Sequence, residues 1–345
     1  MCSEREHLSI GTMVEDFRID SVIGEGAMAV VYRATQTSLE RPVALKILPR
    51  ELSKDKDYVD RFFNEARAAA TLSHANIVQA YDAGIAEGDI CYFAMEFVEG
   101  ESLADRIERD GSIPLTTALR IALDISKALD YGWQRQQLTH GDIKPANILI
   151  TERGEPKLAD FGLAKVRDVE DEDEGIMLTP LYAAPEAIQG QVKPGSSCTD
   201  IYSFGATLYH MLTGSPPFPH EDAEEVMRRQ VEEALVPARH RNDKIPVQVS
   251  ACLDHLLEKN PEDRPQDWSE ISDQVERLLG DLTRARPVAR HSSRPQHKLK
   301  TARPVEIYAV EFGNRPKGYL RFGIIFAIAA LVVTLIIWIT SQVWK

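Results

Sequence analysis

The spacing of apolar residues changes once along the chain, and that change limits what it can fold into. Residues 17–98 hold short strand-like runs separated by turns: FRIDSVIG, AVVYRATQ, RPVALKIL, IVQAYDAGI and ICYFAMEFV. One helical stretch, Asp57 to Leu72, interrupts them. From Leu103 onward the period is mostly helical. PLTTALRIALDISKALDYGW and AEEVMRRQVEEAL place apolar residues at i, i+3 and i+4, and a helix from Trp268 to Leu282 closes the folded body.

The remainder has a different composition. RARPVARHSSRPQHKLKTARPVE is rich in Pro, Arg and Lys without an apolar period, and residues 283–321 read as a flexible linker. Phe322 to Thr340 is uncharged for 19 residues. As a helix it would be about 28 Å long, enough for a hydrocarbon core. Arg315, Lys317 and Arg321 precede this span and only Lys345 follows it. The positive-inside rule therefore places the body in the cytoplasm and residues 341–345 outside, with Tyr319, Trp338 and Trp344 in the interfacial belt. The expectation is a protein anchored in a membrane by a single C-terminal helix.

Charge is divided the same way. Residues 281–345 carry 11 Lys and Arg against 3 Asp and Glu, leaving 29 basic and 50 acidic residues in the first 280. So acidic a body argues against nucleic acid as the main partner, since phosphate contacts need a basic face. The basic linker fits either a solvated spacer or a segment lying against anionic lipid. Cys2, Cys91, Cys198 and Cys252 show neither metal nor disulfide spacing and read as reduced thiols. MCSEREHLSI lacks the apolar core of a signal peptide.

Five short motifs carry the chemistry, and their order matters more than any one of them. IGEGAMAVVYRA offers Gly24 and Gly26, whose backbone can approach phosphates, and Val31, which can cover a purine; the usual third glycine is Ala29. Alone, such a hairpin is only a turn. VALKIL puts Lys46 among apolar strand residues, where it must be paired or face outward on an edge strand. RFFNEARAAATL puts Glu65 on an amphipathic helix, within reach of Lys46 or on a solvated face. HGDIKPANILI supplies a carboxylate to orient a hydroxyl (Asp142), a cation for a phosphoryl group (Lys144) and a metal-binding amide (Asn147). KLADFGLAK supplies Asp160, a carboxylate for a metal that bridges nucleotide phosphates.

With all five in sequence, the chain from about Phe17 to Leu282 resembles the eukaryotic-type protein kinase domain, most closely that of bacterial membrane-anchored serine/threonine kinases. TPLYAAPE, TDIYSFGATLYHMLTG and NPEDRP extend the likeness. The resemblance implies an α+β bilobal fold: a small β-rich N-lobe (17–98) and a larger helical C-lobe (99–282), after an N-terminal segment of residues 1–16. It implies ATP in the cleft, with Ile23, Val31, Ala44 and Leu149 around the adenine, Met95 as gatekeeper, and the backbone of Glu96 and Val98 at the hinge. Lys46 would bind the α- and β-phosphates with Glu65 as its partner. Asp142 would be the catalytic base, Lys144 would steady the γ-phosphoryl, and Asn147 and Asp160 would hold Mg²⁺, or Mn²⁺ in its place. Glu186 and Arg264 would form a structural ion pair, and Asp200 would brace the catalytic loop. Lys144 and Thr179 match the serine/threonine pattern, so the implied substrates are protein Ser and Thr hydroxyls.

One letter departs from the family: Gly141 stands where an Arg usually reads an activation-loop phosphate. Residues 163–178 contain no Ser, Thr or Tyr, and Asp168 to Glu174 has six carboxylates in seven positions. The expectation is activity that does not depend on phosphorylation of that loop, leaving Thr179 and Tyr182 as the positions to test. The acidic run reads either as a built-in anion or as a solvated, self-repelling stretch. Two other functions compete: a catalytically silent ATP-binding scaffold, and a small-molecule phosphotransferase of the aminoglycoside- or choline-kinase type, which shares HGD. Self-association and autophosphorylation, for which Ser292, Ser293 and Thr301 are available, stay open.

Overall fold

A computed structural model describes residues 7–26, 28–161, 179–193 and 196–284. The span at 322–340, the basic linker and the acidic run lie outside them. Among the described residues no helix is long and apolar enough to cross a membrane. The chain divides into units of residues 1–288 and 289–345, and every described residue belongs to the first.

The period-2 region folds into one antiparallel sheet. Its strands are β1 (Met13–Val14), β2 (Phe17–Glu25), β3 (Val30–Gln36), β4 (Arg41–Ile47), β5 (Ala80–Ala86) and β6 (Ile90–Glu96), in the order β1-β2-β3-β4-β6-β5. Alternation sorts the side chains. Phe17, Ile19, Tyr32, Leu45 and Tyr92 form one apolar cluster, while Ala44, Phe93 and Met95 join a second. Helix α1 (Lys56–Ala70) starts at Asp55, whose side chain accepts from the Asp57 N–H. It buries Phe62, Ala66 and Ala69 in that second cluster.

The helical region includes a short sheet of β7 (Gly100–Ser102), β8 (Ile148–Thr151) and β9 (Pro156–Leu158). Helices α2 (Leu103–Asp110) and α3 (Leu115–Gln136) precede β8; α4 (Pro185–Ile188) and α5 (Cys198–Thr213) follow β9. Then come α6 (Ala223–Glu232), α7 (Ala238–Arg241), α8 (Val247–Leu256) and α9 (Trp268–Arg284). Helix α5 is buried along almost its whole length, and Phe204 on it meets Trp268 edge-on. The bilobal α+β expectation holds. Element ends differ by a few residues: Ile77 and Val78 precede β5 rather than opening it, because the Val78 N–H bonds Leu158 O across the lobes.

Candidate active site

Strand β4 lies between β3 and β6, so the edge-strand alternative for Lys46 falls. Lys46 Nζ sits 2.6 Å from Glu65 Oε1 and 3.1 Å from Asp160 Oδ1. Glu65 is only 4% exposed, which removes the solvated-face alternative as well. Burial pulls the Lys46 ammonium down, but Asp160 and Glu65 outweigh it and hold the group above the ordinary lysine range. Lys46 in turn holds the Asp160 carboxyl below its usual value, whereas burial pushes Glu65 up. Three sequence-distant motifs thus converge on one charge cluster.

The loop expected to be catalytic runs from His140 to Asn147. Asp200 accepts the His140 N–H at 2.6 Å and the Gly141 N–H at 2.8 Å, bracing the loop from α5. Asn147 Nδ2 donates to Asp142 O at 2.8 Å and to Asp142 Oδ2 at 3.1 Å. Lys144 Nζ lies 2.6 Å from Asp142 Oδ2 and donates to Thr179 Oγ1 at 3.0 Å. The Thr179 hydroxyl donates to Asp142 Oδ1 at 2.9 Å. Asp142, Lys144, Asn147 and Thr179 therefore form one hydrogen-bonded group.

Of the expected adenine residues, Ala44 and Met95 are buried in the second cluster, with Val31, Val98 and Leu149 packed against it. Ile23 stands apart, 47% exposed on β2, where the register slips between Val22 and Gly24. Gly24 pairs with Val31, and the Gly26 N–H donates to Ala29 O at 2.8 Å, so Ala29 closes the hairpin where a third glycine was expected. The Glu96 N–H donates to Gln79 O, and its carboxylate holds Lys157. What Glu96 can still offer a base lies on its carbonyl side.

Asp160 has φ +57, a left-handed conformation that costs a non-glycine residue about 1 kcal/mol or more. Such strain is expected where a carboxylate must be aimed. Phe161 beside it is buried, edge-on to His140, and His140 Nε2 lies 2.9 Å from Ala159 O. Sequence reasoning missed Gly132 of α3, where a Cβ would come within 2.6 Å of the Phe161 ring. The only signal was a glycine inside a helical period, which costs about 1 kcal/mol relative to Ala and so asks for a reason.

Arg264 and Glu186 make the expected bidentate pair at 2.7 and 2.8 Å, with the Arg264 side chain fully buried. Thr179 and Tyr182, the two candidate phosphosites, are both engaged. Thr179 is held by Asp142 and Lys144, and the Tyr182 hydroxyl lies 2.8 Å from His210 Nδ1.

Asn147 and Asp160 supply the hard oxygen donors that Mg²⁺ favours. Both side-chain hydrogen bonds of Asn147 use its NH₂, which leaves the amide oxygen for a cation. Among the described residues no group of three or more His, Cys, Asp or Glu could hold a metal. The donor set fits.

Comparison with known proteins agrees with this geometry. The model of the protein kinase domain matches residues 17–294. A probable serine/threonine-protein kinase of Clostridium acetobutylicum is 35% identical over 302 residues, covering 84% of this chain and 45% of that protein. Serine/threonine-protein kinase PknB of Mycobacterium leprae is 36% identical over 261 residues, covering 74% of this chain and 42% of that one. The crystal structure of the Mycobacterium tuberculosis PknI kinase domain superposes with a TM-score of 0.62 at 26% identity, covering 79% of this chain and all of that one. The chain spans less than half the length of the curated relatives it matches.

Proposed function

The chain belongs to the protein kinase family, and we propose on that premise that it transfers the γ-phosphoryl group of ATP to serine and threonine hydroxyls of proteins. One observation carries the reading. The Thr179 hydroxyl is hydrogen-bonded to Asp142 and Lys144 together, so the two groups already accommodate an aliphatic alcohol.

In the reaction, Lys46 binds the α- and β-phosphates and Glu65 keeps its ammonium aimed. Val31, Ala44 and Leu149 enclose the adenine, with Met95 behind it and the Glu96 carbonyl and the Val98 backbone along its edge. Asp142 orients the acceptor hydroxyl and takes its proton, while Lys144 neutralises charge on the transferred group. Asn147 and Asp160 would hold Mg²⁺, which when bound neutralises charge on the phosphates. The chain's own contribution is positioning and fixed charge, made by side chains that their neighbours already hold in place.

The remaining features give the kinase its setting. The basic linker and the span at 322–340 anchor it in a bacterial inner membrane with the catalytic body in the cytoplasm. Activity does not require phosphorylation of residues 163–178. Loss of Arg at 141 and loss of every hydroxyl acceptor in that stretch occur together, and Thr179 and Tyr182 are occupied by other contacts.

The test is to incubate the full chain with labelled ATP, Mg²⁺ and generic protein acceptors, with Asp142→Asn alongside. Phosphoserine or phosphothreonine that vanishes in the variant is the expected result. Nucleotide binding without transfer would favour the scaffold, and phosphorylation confined to small alcohols would favour the other phosphotransferase class.

A further inference from the structure

Gln230 is fully buried near the end of α6, and every hydrogen-bonding atom of its side chain is used. Its Nε2 donates to Leu181 O at 2.9 Å and to Pro180 O at 3.1 Å, and its Oε1 accepts from the Tyr202 hydroxyl. The next carbonyl, Tyr182 O, accepts from Ser203 Oγ at 2.9 Å. Three successive carbonyls of the 3₁₀ turn Pro180–Tyr182 are therefore held by side chains from α5 and α6. Thr179, immediately before that turn, bonds Asp142 and Lys144.

The same helix holds the other side of the site. Tyr202 and Ser203 lie on α5, as does Asp200, which accepts the His140 and Gly141 N–H groups of the catalytic loop. Both halves of the Asp142–Thr179 contact thus hang from one buried helix, one directly through Asp200 and the other through Ser203 and Gln230. The side-chain hydrogen bonds of Gln230 go to Pro180, Leu181 and Tyr202, outside the Lys46–Glu65–Asp160 cluster.

We propose that Gln230 is a positioning residue for phosphoryl transfer, holding the protein-substrate side of the site in working geometry without a loop phosphate. The proposal rests on the kinase reading above. A buried primary amide suits the task because it offers two donors to two carbonyls and one acceptor to a tyrosine. An unbranched apolar side chain of the same length fills the space and strands all three partners, at a cost set by their desolvation.

The experiment compares the full chain with Gln230→Met and Tyr202→Phe, using histone as acceptor and varying ATP and acceptor separately. Hydrogen exchange of the segment containing residues 179–183 gives a readout independent of activity. For Gln230→Met we expect kcat/KM toward acceptor to fall about tenfold or more, KM for ATP to stay within about twofold, and exchange at 179–183 to quicken. Tyr202→Phe keeps both carbonyl bonds and should lose less. Unchanged acceptor kinetics in Gln230→Met, or an equal loss toward ATP and acceptor, overturns the proposal. If Gln230→Met does not fold, Tyr202→Phe decides: wild-type kinetics and exchange overturn the proposal, and a small selective loss toward acceptor supports it. A wild-type chain that transfers no phosphate removes the kinase reading and this proposal with it; active wild type with an indifferent Gln230→Met removes this proposal alone.

Discussion

The Gly141 N–H donates to Asp200 Oδ1 at 2.8 Å while Gly141 itself holds φ +82. The bond fixes the backbone in a left-handed conformation that glycine adopts freely and a residue with a Cβ does not. Restoring the family's arginine by Gly141→Arg should therefore lower stability by about 1 kcal/mol, a fall of ~2–4 °C in Tm for a domain of this size. Phosphoryl transfer should persist, since Asp142, Lys144 and Asn147 keep their partners. Thermal melts read the first effect and transfer to a protein acceptor the second. A melting point that rises would mean Asp200 does not hold the loop as described.

Replacing Lys46 strands its partners rather than merely removing a phosphate ligand. Lys46→Met leaves Glu65 buried beside an apolar side chain and frees Asp160 from the cation that depresses its carboxyl. We expect a fall in kcat/KM of at least about a hundredfold, because charge stabilisation of this kind supplies several kcal/mol of the barrier. The Glu65 carboxyl should then also protonate at a higher pH than in the wild type, having lost its counter-charge. Carboxyl infrared bands of the isotope-labelled variant follow that titration.

The elements and the chemistry were legible for different reasons. Strand and helix identities followed from apolar period, and the five motifs singled out Lys46, Glu65, Asp142, Asn147 and Asp160 because each is a short local pattern; the fold gathers them into two hydrogen-bonded groups. Partnership was less legible. That Lys46 is paired rather than outward-facing depends on β4 being central, which no local pattern states. The contacts of Gly132, Gln230 and His210 were not legible because each reaches across more than 25 positions, to Phe161, to Pro180–Leu181 and to Tyr182. Ala29 was read as a missing glycine, yet its carbonyl closes the hairpin, a role any residue's backbone can fill.

The Glu186–Arg264 pair should behave as a buried ion pair rather than a surface one. Arg264 also donates to the Glu258, Lys259 and Cys198 carbonyls, so its removal strands a carboxylate and three acceptors. Arg264→Ala should cost about 3–5 kcal/mol, enough to unfold much of the protein. Arg264→Lys keeps the charge but not the fork, and should recover only part of the loss. Urea midpoints rank the three proteins, and equal midpoints for wild type and Arg264→Ala would contradict the geometry.

His210 links stability to pH. Burial lowers its pKa from 6.5 to about 4, and its Nδ1 faces the Tyr182 hydroxyl. The folded pKa is depressed below the unfolded one, so folding favours neutral imidazole. The contribution is fully present above about pH 6.5 and is lost as pH falls toward 4. Its upper bound is about 3 kcal/mol, lowered by the solvent that still reaches the ring. His210→Gln keeps a polar partner for Tyr182 without a titrating group. Its unfolding free energy should fall less than that of the wild type between pH 6.5 and 4. Parallel curves would show that His210 titrates normally.

Gly132 offers a test in which activity and helix stability separate. A Cβ at this position would meet Phe161 Cζ at 2.6 Å and Cε1 at 3.1 Å, too close to stand. The Phe161 ring also meets His140 edge-on, and its backbone continues directly from Asp160, whose carboxylate lies 3.1 Å from Lys46 Nζ. A displaced ring is expected to disturb that carboxylate. Against this, Ala in a helix interior is about 1 kcal/mol more favourable than Gly, which offsets part of the packing strain. We expect Gly132→Ala to reduce kcat about tenfold or more with a change in Tm of only a few degrees, since misplaced catalytic groups cost more in rate than in stability. Adding Phe161→Leu, whose smaller side chain leaves room for the new methyl, should return part of the lost activity. A double variant slower than Gly132→Ala alone would show that the aromatic ring, rather than its contact with α3, is what positions Asp160.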